Sequence, residues 1–253
     1  MKILICLLLF LCLLPILGCA AQPTVPTAPP TVQTTAETEA ETTQETVIPD
    51  KVIALTLDDG PNNDLMPKFL DTLAEHNVKA TFFLIGNRVS DCAQVVKRAY
   101  DEGHEIGNHS FSHIDLAQLS KDEFLKEVEL CQLAVEKVTG ERPAFFRPPF
   151  LSTNSVMDGS MEIPYASGYV TGDGVAGSIA ADRYYRAVTQ AHDGAIILMH
   201  CASHAGETLK ALPQVITELR AQGYEFVTVS ELFARKGITP EIGVMYKSLA
   251  KSE

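Results

Sequence analysis

Two adjacent carboxylates, Asp58 and Asp59, follow the apolar and β-branched run Val52–Leu57 and precede Gly60-Pro61. A run that short, almost unbroken in hydrophobicity and closed by a turn signal, reads as a strand buried on both faces. Two like charges at its end are unfavourable unless something neutralises them, and a metal ion is the usual remedy. Asp-Asp-Gly-Pro by itself also makes a turn, so the case rests on further ligands. His109 and His113 stand four positions apart in GHEIGNHSFSH. In a helix-like turn both imidazoles face one way and can grip one ion, although such a pair in a polar loop is also a common coincidence. Two His and one carboxylate make the three-ligand set of catalytic zinc, which leaves a position for water. That arrangement wants one carboxylate on the metal and a second as base. The pair at 58 and 59 offers both.

The elements that must position these groups alternate along the chain. Strands are expected at Val52–Leu57, Ala80–Ile85, Glu105–Gly107, Ala144–Phe146, Ala195–His200 and Glu225–Val229. Between them, helices are expected from Leu65 to His76, from a Ser90 cap to Glu102, and from the capping box Ser120/Glu123 to Gly140. Further helices are expected over Ala181–Ala191 and Thr208–Gln222, with a short terminal one capped by Ser230. Strands that read as continuous apolar runs between helices mean a parallel sheet covered by helices. Each polar cluster follows the end of such a strand: Asp58-Asp59, His109/His113, Arg147, Asp173 and His200. In a parallel barrel those ends share one rim, where active sites are built.

The 253 residues are not one compositional unit. A positive start at Lys2 and the apolar run Ile3–Leu17 suit a secretory signal, and Ile16-Leu17-Gly18-Cys19 resembles a lipobox. The expectation is a leader over 1–18, removed to leave Cys19 as a lipid-bearing first residue. The alternative is an ordinary secreted protein cleaved near Ala20-Ala21. Residues 19–50 are rich in Thr, Pro, Ala and Glu, with five acids and no base, and read as an extended stalk. Setting aside those acids and Lys2 leaves a net charge of −8 from the total of −12. An acidic domain without basic runs argues against nucleic acid, and against anionic lipid except through the anchor at Cys19. A single α/β domain is expected over 51–240, with a weakly patterned tail over 241–253 and no internal repeat. Cys92, Cys131 and Cys201 have no metal or disulfide spacing and read as buried small apolar residues.

In order, TLDDGP, HSFSH, RPPF and LMH resemble the motifs of the polysaccharide deacetylases, the NodB-homology domains grouped as family 4 carbohydrate esterases. The resemblance runs from about Lys51 to Lys236. It implies a distorted parallel (β/α) barrel, expected to be seven-stranded, and hydrolysis of acetyl groups by metal-activated water. Carried over by residue, it makes Asp58 the base and places Asp59, His109 and His113 on one divalent ion, with zinc expected first and cobalt or nickel as alternatives. Arg147 would hold Asp58, and the backbone N–H of Phe150 would help to bind the oxyanion. His200 would be the acid, oriented by Asp173. Leu198 and Pro148 would contact substrate. The implied setting is a monomeric enzyme, exported and tethered to the outer face of the cell membrane or released from it. Its implied substrate is an acetylated polysaccharide, either peptidoglycan N-acetyl sugars or a xylan-type glycan.

Two departures stand out. Phe150-Leu151 replaces the family's Tyr-Gly, and Asp173-Gly174 replaces its Asp-Trp in a chain with no Trp. They raise the alternative of a non-catalytic, carbohydrate-binding relic. Relics commonly lose the base or a ligand, whereas this chain keeps Asp58, Asp59, both His and His200. His204 is near enough to His200 in sequence to border the site.

Overall fold

The computed structural model describes residues 51–249. The leader, Cys19 and the stalk expected over 1–50 lie outside the described residues, as do the last four positions of the tail. Strands β1 to β8 span Lys51–Gly60, Thr81–Leu84, Glu105–Asn108, Tyr165–Ala166, Tyr169–Val170, Ile196–His200, Tyr224–Val227 and Met245–Tyr246. Helices α1 to α8 span Met66–Glu75, Gly86–Val89, Ala93–Asp101, Lys121–Thr139, Ser155–Asp158, Ala180–Thr189, Gly206–Ala221 and Val229–Lys236.

Six strands form one parallel sheet in the order β3-β2-β1-β6-β5, with β7 paired to the opening residues of β1. The sheet curls so that its ends approach the segment that carries Arg147. Phe146 bridges Asn108 on one side and Tyr165 of β4 on the other, and the chain passes from β4 through Gly168 into β5, beside β6. The ring is thus an α/β parallel barrel with one side distorted. Ala144–Phe146, expected as a strand, contributes only the Phe146 bridges.

The pleat of β1 explains how one strand serves core and site together. Ile53, Leu55 and Leu57 point into the larger core beneath α1, α3 and α7, while Val52 and Ala54 join a second core with Phe83, Phe145 and Ile196. With a side-chain period of two, Thr56 and Asp58 continue the second face, so the polar pair sits at the end of an apolar stack. The register places Asp58 opposite His200 of β6.

Helix starts follow local hydrogen bonding. Ser120 and Glu123 form the expected capping box of α4, and Gly140 ends it in a left-handed conformation at φ +84°. The cap of α8 is Thr228, not Ser230: Thr228 and Glu231 exchange backbone and side-chain hydrogen bonds. Ser230 instead donates to Glu105. Ser90 does not cap α3 either, because the extra turn α2 takes it up and α3 begins after Cys92. The tail is packed against the domain as far as it is described, with β8 pairing β4 and Leu249 buried in the second core. Cys92, Cys131 and Cys201 are buried free thiols, as their spacing implied.

Candidate active site

Asp58, Asp59, His109, His113 and His200 converge on one cleft of about 330 Å³, whose apolar wall includes Pro148, Phe150, Leu151, Val170 and Leu198. A larger cavity of about 1040 Å³ between α3 and α4 contains no comparable set of donors among its lining residues.

Asp58 is held by a buried cation. Arg147 Nη1 donates to Asp58 Oδ1 at 2.6 Å and to Thr56 Oγ1 at 2.8 Å, and its Nε donates to the carbonyl of Ala166 at 2.8 Å. The guanidinium lies over the Phe83 ring, 4.0 Å from its centroid. Burial pulls the Arg147 pKa below its ordinary value, opposed by the Asp58 charge. An arginine that is 0% exposed is tolerable only with such partners.

Asp59 turns away from Asp58 because its backbone is left-handed, at φ +67°. That conformation is unfavourable for a non-glycine residue and is held here by structure on both sides. Arg88 Nη1 donates to the Asp59 carbonyl at 2.9 Å, which fixes the turn from outside the cleft.

The histidine pair meets without a helix. Ser110 and His113 have φ values of +62° and +58°, and the loop closes through its own polar groups. Asn108 Oδ1 accepts from Ser110 N, Ser110 Oγ accepts from His113 N, and Glu127 Oε2 accepts from the N–H groups of Phe111 and Ser112. The first N–H groups of α2, at Gly86 and Asn87, donate to the carbonyls of Ser110 and Phe111. The two imidazole centroids end 4.9 Å apart.

These groups fit a divalent cation. Asp59 Oδ1 is 3.4 Å from His109 Nε2 and 3.0 Å from His113 Nε2, and all three ligand atoms lie within 4.8 Å of one another. Asp59 Oδ1 is nevertheless buried without a hydrogen bond of acceptable geometry, so proximity here is not direct pairing. His109 Nδ1 lies 2.7 Å from the Arg147 carbonyl, and only a protonated Nδ1 can bond that acceptor. The neutral ring then presents a bare Nε2, the form that ligates metal.

His200 stands at the end of β6 with Asp173 behind it. Asp173 Oδ1 is 2.8 Å from His200 Nδ1, and Asp173 Oδ2 accepts from His200 N at 2.7 Å. Burial alone would lower the His200 pKa, but the hydrogen bond and charge of Asp173, with Asp58 and Asp59 beyond, raise it to about 9. Burial pushes the Asp173 carboxyl up, and the bond and charge of His200 more than reverse this.

Both departures in sequence are visible in the cleft. A Cβ added at Gly174 would lie 3.4 Å from His200 Cε1, so glycine leaves that face of the imidazole open. Phe150 is 70% exposed and packs edge-on to His113 at 5.0 Å, which keeps one aromatic face at the mouth. His204 also lines the cleft, as its position implied. Sequence reasoning missed Thr56, Asn108 and Val170. Of these, only Thr56 had a usable signal, since it lies two residues before Asp58 on the same face of a strand.

The fold and its donors define a class: an α/β protein whose parallel strands deliver paired carboxylates, paired histidines and a His–Asp couple to one cleft. The polysaccharide deacetylase family model matches residues 46–163. The chain is 39% identical over 193 residues to a bifunctional xylanase/deacetylase of Pseudobutyrivibrio xylanivorans, covering 76% of this chain and 32% of that one. It is 38% identical over 187 residues to a peptidoglycan-N-acetylglucosamine deacetylase of Listeria monocytogenes, covering 74% of this chain and 40% of the relative. The chain therefore spans only about a third to two fifths of these two relatives. A solved family 4 acetyl xylan esterase from Clostridium thermocellum, in complex with a cobalt ion, superposes with a TM-score of 0.76 at 38% identity, covering 78% of this chain and 98% of that one. The chain belongs to the polysaccharide deacetylase family.

Proposed function

We propose that the protein is a metal-dependent deacetylase of an extracellular polysaccharide. The observation that carries the reading is the grouping in one cleft of Asp58, the Asp59/His109/His113 donor set and the His200–Asp173 couple. The names of two relatives, an acetyl xylan esterase and a peptidoglycan-N-acetylglucosamine deacetylase, support an ester and an amide substrate respectively. The intact donor set favours catalysis over a carbohydrate-binding relic.

Asp59, His109 and His113 would hold the ion, zinc by the chemistry of the set. A divalent ion there supplies Lewis-acid polarisation of the acetyl carbonyl and eases deprotonation of water. Arg147 occupies Asp58 Oδ1, so Oδ2, 4.0 Å from His109 Nε2, is the oxygen that takes the proton from the attacking water. The N–H of Phe150 would donate to the developing oxyanion. Leu198 and Pro148 would pack on the acetyl group, and protonated His200 would give its Nε2 proton to the departing amine or alkoxide. The leader over 1–18 and the stalk over 19–50 would place the 51–240 domain outside the cell, tethered through Cys19.

The test is acetate release by the zinc-loaded protein on peptidoglycan, chitooligosaccharide and acetylated xylan, measured side by side. Release from the first two identifies an N-deacetylase, and release from xylan alone identifies an esterase. No release from any of the three would overturn the reading.

A further inference from the structure

We propose that Thr208 and Arg183 are positioning residues for His200, acting through Asp173, and the proposal rests on the reading of His200 as the acid. Thr208, in the first turn of α7, is fully buried, and its Oγ1 lies 3.0 Å from Asp173 Oδ2. Arg183, from α6, is 6% exposed and donates Nη1 to the same Oγ1 at 2.6 Å and Nη2 to the Ser178 carbonyl at 3.0 Å.

The direction of each bond follows from what the groups can do. A guanidinium only donates, so Thr208 Oγ1 accepts from Arg183 and its single proton is committed to Asp173. Asp173 then receives three donors: Thr208 and His200 N on Oδ2, and His200 Nδ1 on Oδ1. With both oxygens occupied, the carboxylate cannot rotate. His200 Nδ1 keeps its proton and points it at Asp173 Oδ1, and Nε2 is the nitrogen left for the cleft.

Arg183 also has a reason to lie where it does. A buried cation is costly unless it approaches an anion or is well bonded. Among the described residues Arg183 forms no direct ion pair, and the Glu207 carboxylate acts on it only through space. The Thr208 hydroxyl is its hydrogen-bonded bridge to the buried carboxylate of Asp173. The Ser178 carbonyl that it also binds ends the glycine-rich loop carrying Gly174 against His200. One side chain thus ties that loop to the His–Asp couple.

A purely architectural role, joining α6 to α7, predicts loss of stability and nothing specific to proton donation. The two are separated by Thr208→Val and Thr208→Ser, each alone and combined with His200→Ala, in zinc-loaded protein. Acetate release is followed from N-acetylglucosamine pentamer, whose amine must be protonated to leave, and from 4-nitrophenyl acetate, whose leaving group departs without protonation. Thr208→Val is expected to lower kcat on the pentamer by about 10-fold, as for a lost hydrogen bond to a charged group, with KM and zinc content unchanged. Thr208→Ser should retain most of the rate, and Thr208→Val should change the nitrophenyl ester rate by less than about 2-fold. In the His200→Ala background Thr208→Val should cost nothing further, because the cycle then has no acid left to position. Should Thr208→Val give no soluble protein, Arg183→Met carries the same expectations at about 3-fold. Equal losses on both substrates, or the same loss with and without His200, would overturn the positioning role. A fully active His200→Ala would instead remove the acid assignment, and the relay with it.

Discussion

Arg147 donates to Asp58 at 2.6 Å with neither side chain more than 3% exposed, and the carbonyl of the same arginine binds His109 Nδ1. One residue therefore fixes both the Asp58 carboxylate and the His109 imidazole. The contact is possible because Thr56 and Asp58 share a face of β1, so that Arg147 Nη1 alone donates to both.

Arg147→Met should be severely destabilising, by roughly 3–5 kcal/mol, because it leaves Asp58 buried without its counter-charge. Arg147→Lys should not restore stability, since one ammonium lacks the fork that reaches Thr56, Asp58 and Ala166 together. Denaturant unfolding of the three proteins measures this. A loss below about 1 kcal/mol for the Met variant would mean that the pair is not structural.

Asp58→Asn tests the division of labour between the two carboxylates. The amide oxygen can still accept from Arg147, but it cannot take a proton from water. Turnover should fall by about 10²- to 10⁴-fold with zinc stoichiometry unchanged. Zinc lost in proportion to activity would place Asp58 on the ion instead.

The features legible in sequence were those written in local spacing. The buried run of β1 and the Ser120/Glu123 capping box are each contained in a few consecutive residues, and Asp58-Asp59 and His200 stand at the ends of their own strands. The i, i+4 spacing of the histidine pair suggests a helical turn, whereas the loop brings the two imidazoles together through left-handed backbone at Ser110 and His113. Residues Tyr165–Val170 were hidden because two two-residue strands flank Ser167-Gly168, too short to show a period of two. Thr208 and Arg183 could not be found at all. Their link to Asp173 spans 35 and 10 positions in sequence and depends on how α6 packs on α7.

Removing the metal should be visible in stability as well as in rate. A ligand held only by the folded state adds about 2.7 kcal/mol at a hundredfold excess over Kd. Chelation should therefore lower Tm and abolish acetate release, and zinc should restore both. His113→Ala should make Tm insensitive to chelator, because the remaining Asp59 and His109 offer too few donors. A wild-type Tm indifferent to chelator would contradict the metal site.

His200 should titrate far from an ordinary histidine. Its pKa of about 9 in the metal-free fold lies above the ordinary 6.5, so its contribution to stability is complete below pH 6.5 and is lost as pH rises through about 9. The same protonated ring is the form needed to donate to a leaving group, so activity should carry an alkaline limb that His200→Ala lacks. A bound cation adds like charge to the cleft and should bring that limb below its metal-free position. NMR titration of the imidazole in metal-free protein measures the midpoint directly. Asp173→Asn removes the charge that opposes burial and should drop the midpoint to 6.5 or lower. A wild-type midpoint near 6.5, unmoved by Asp173→Asn, would show that the couple does not hold the proton on His200.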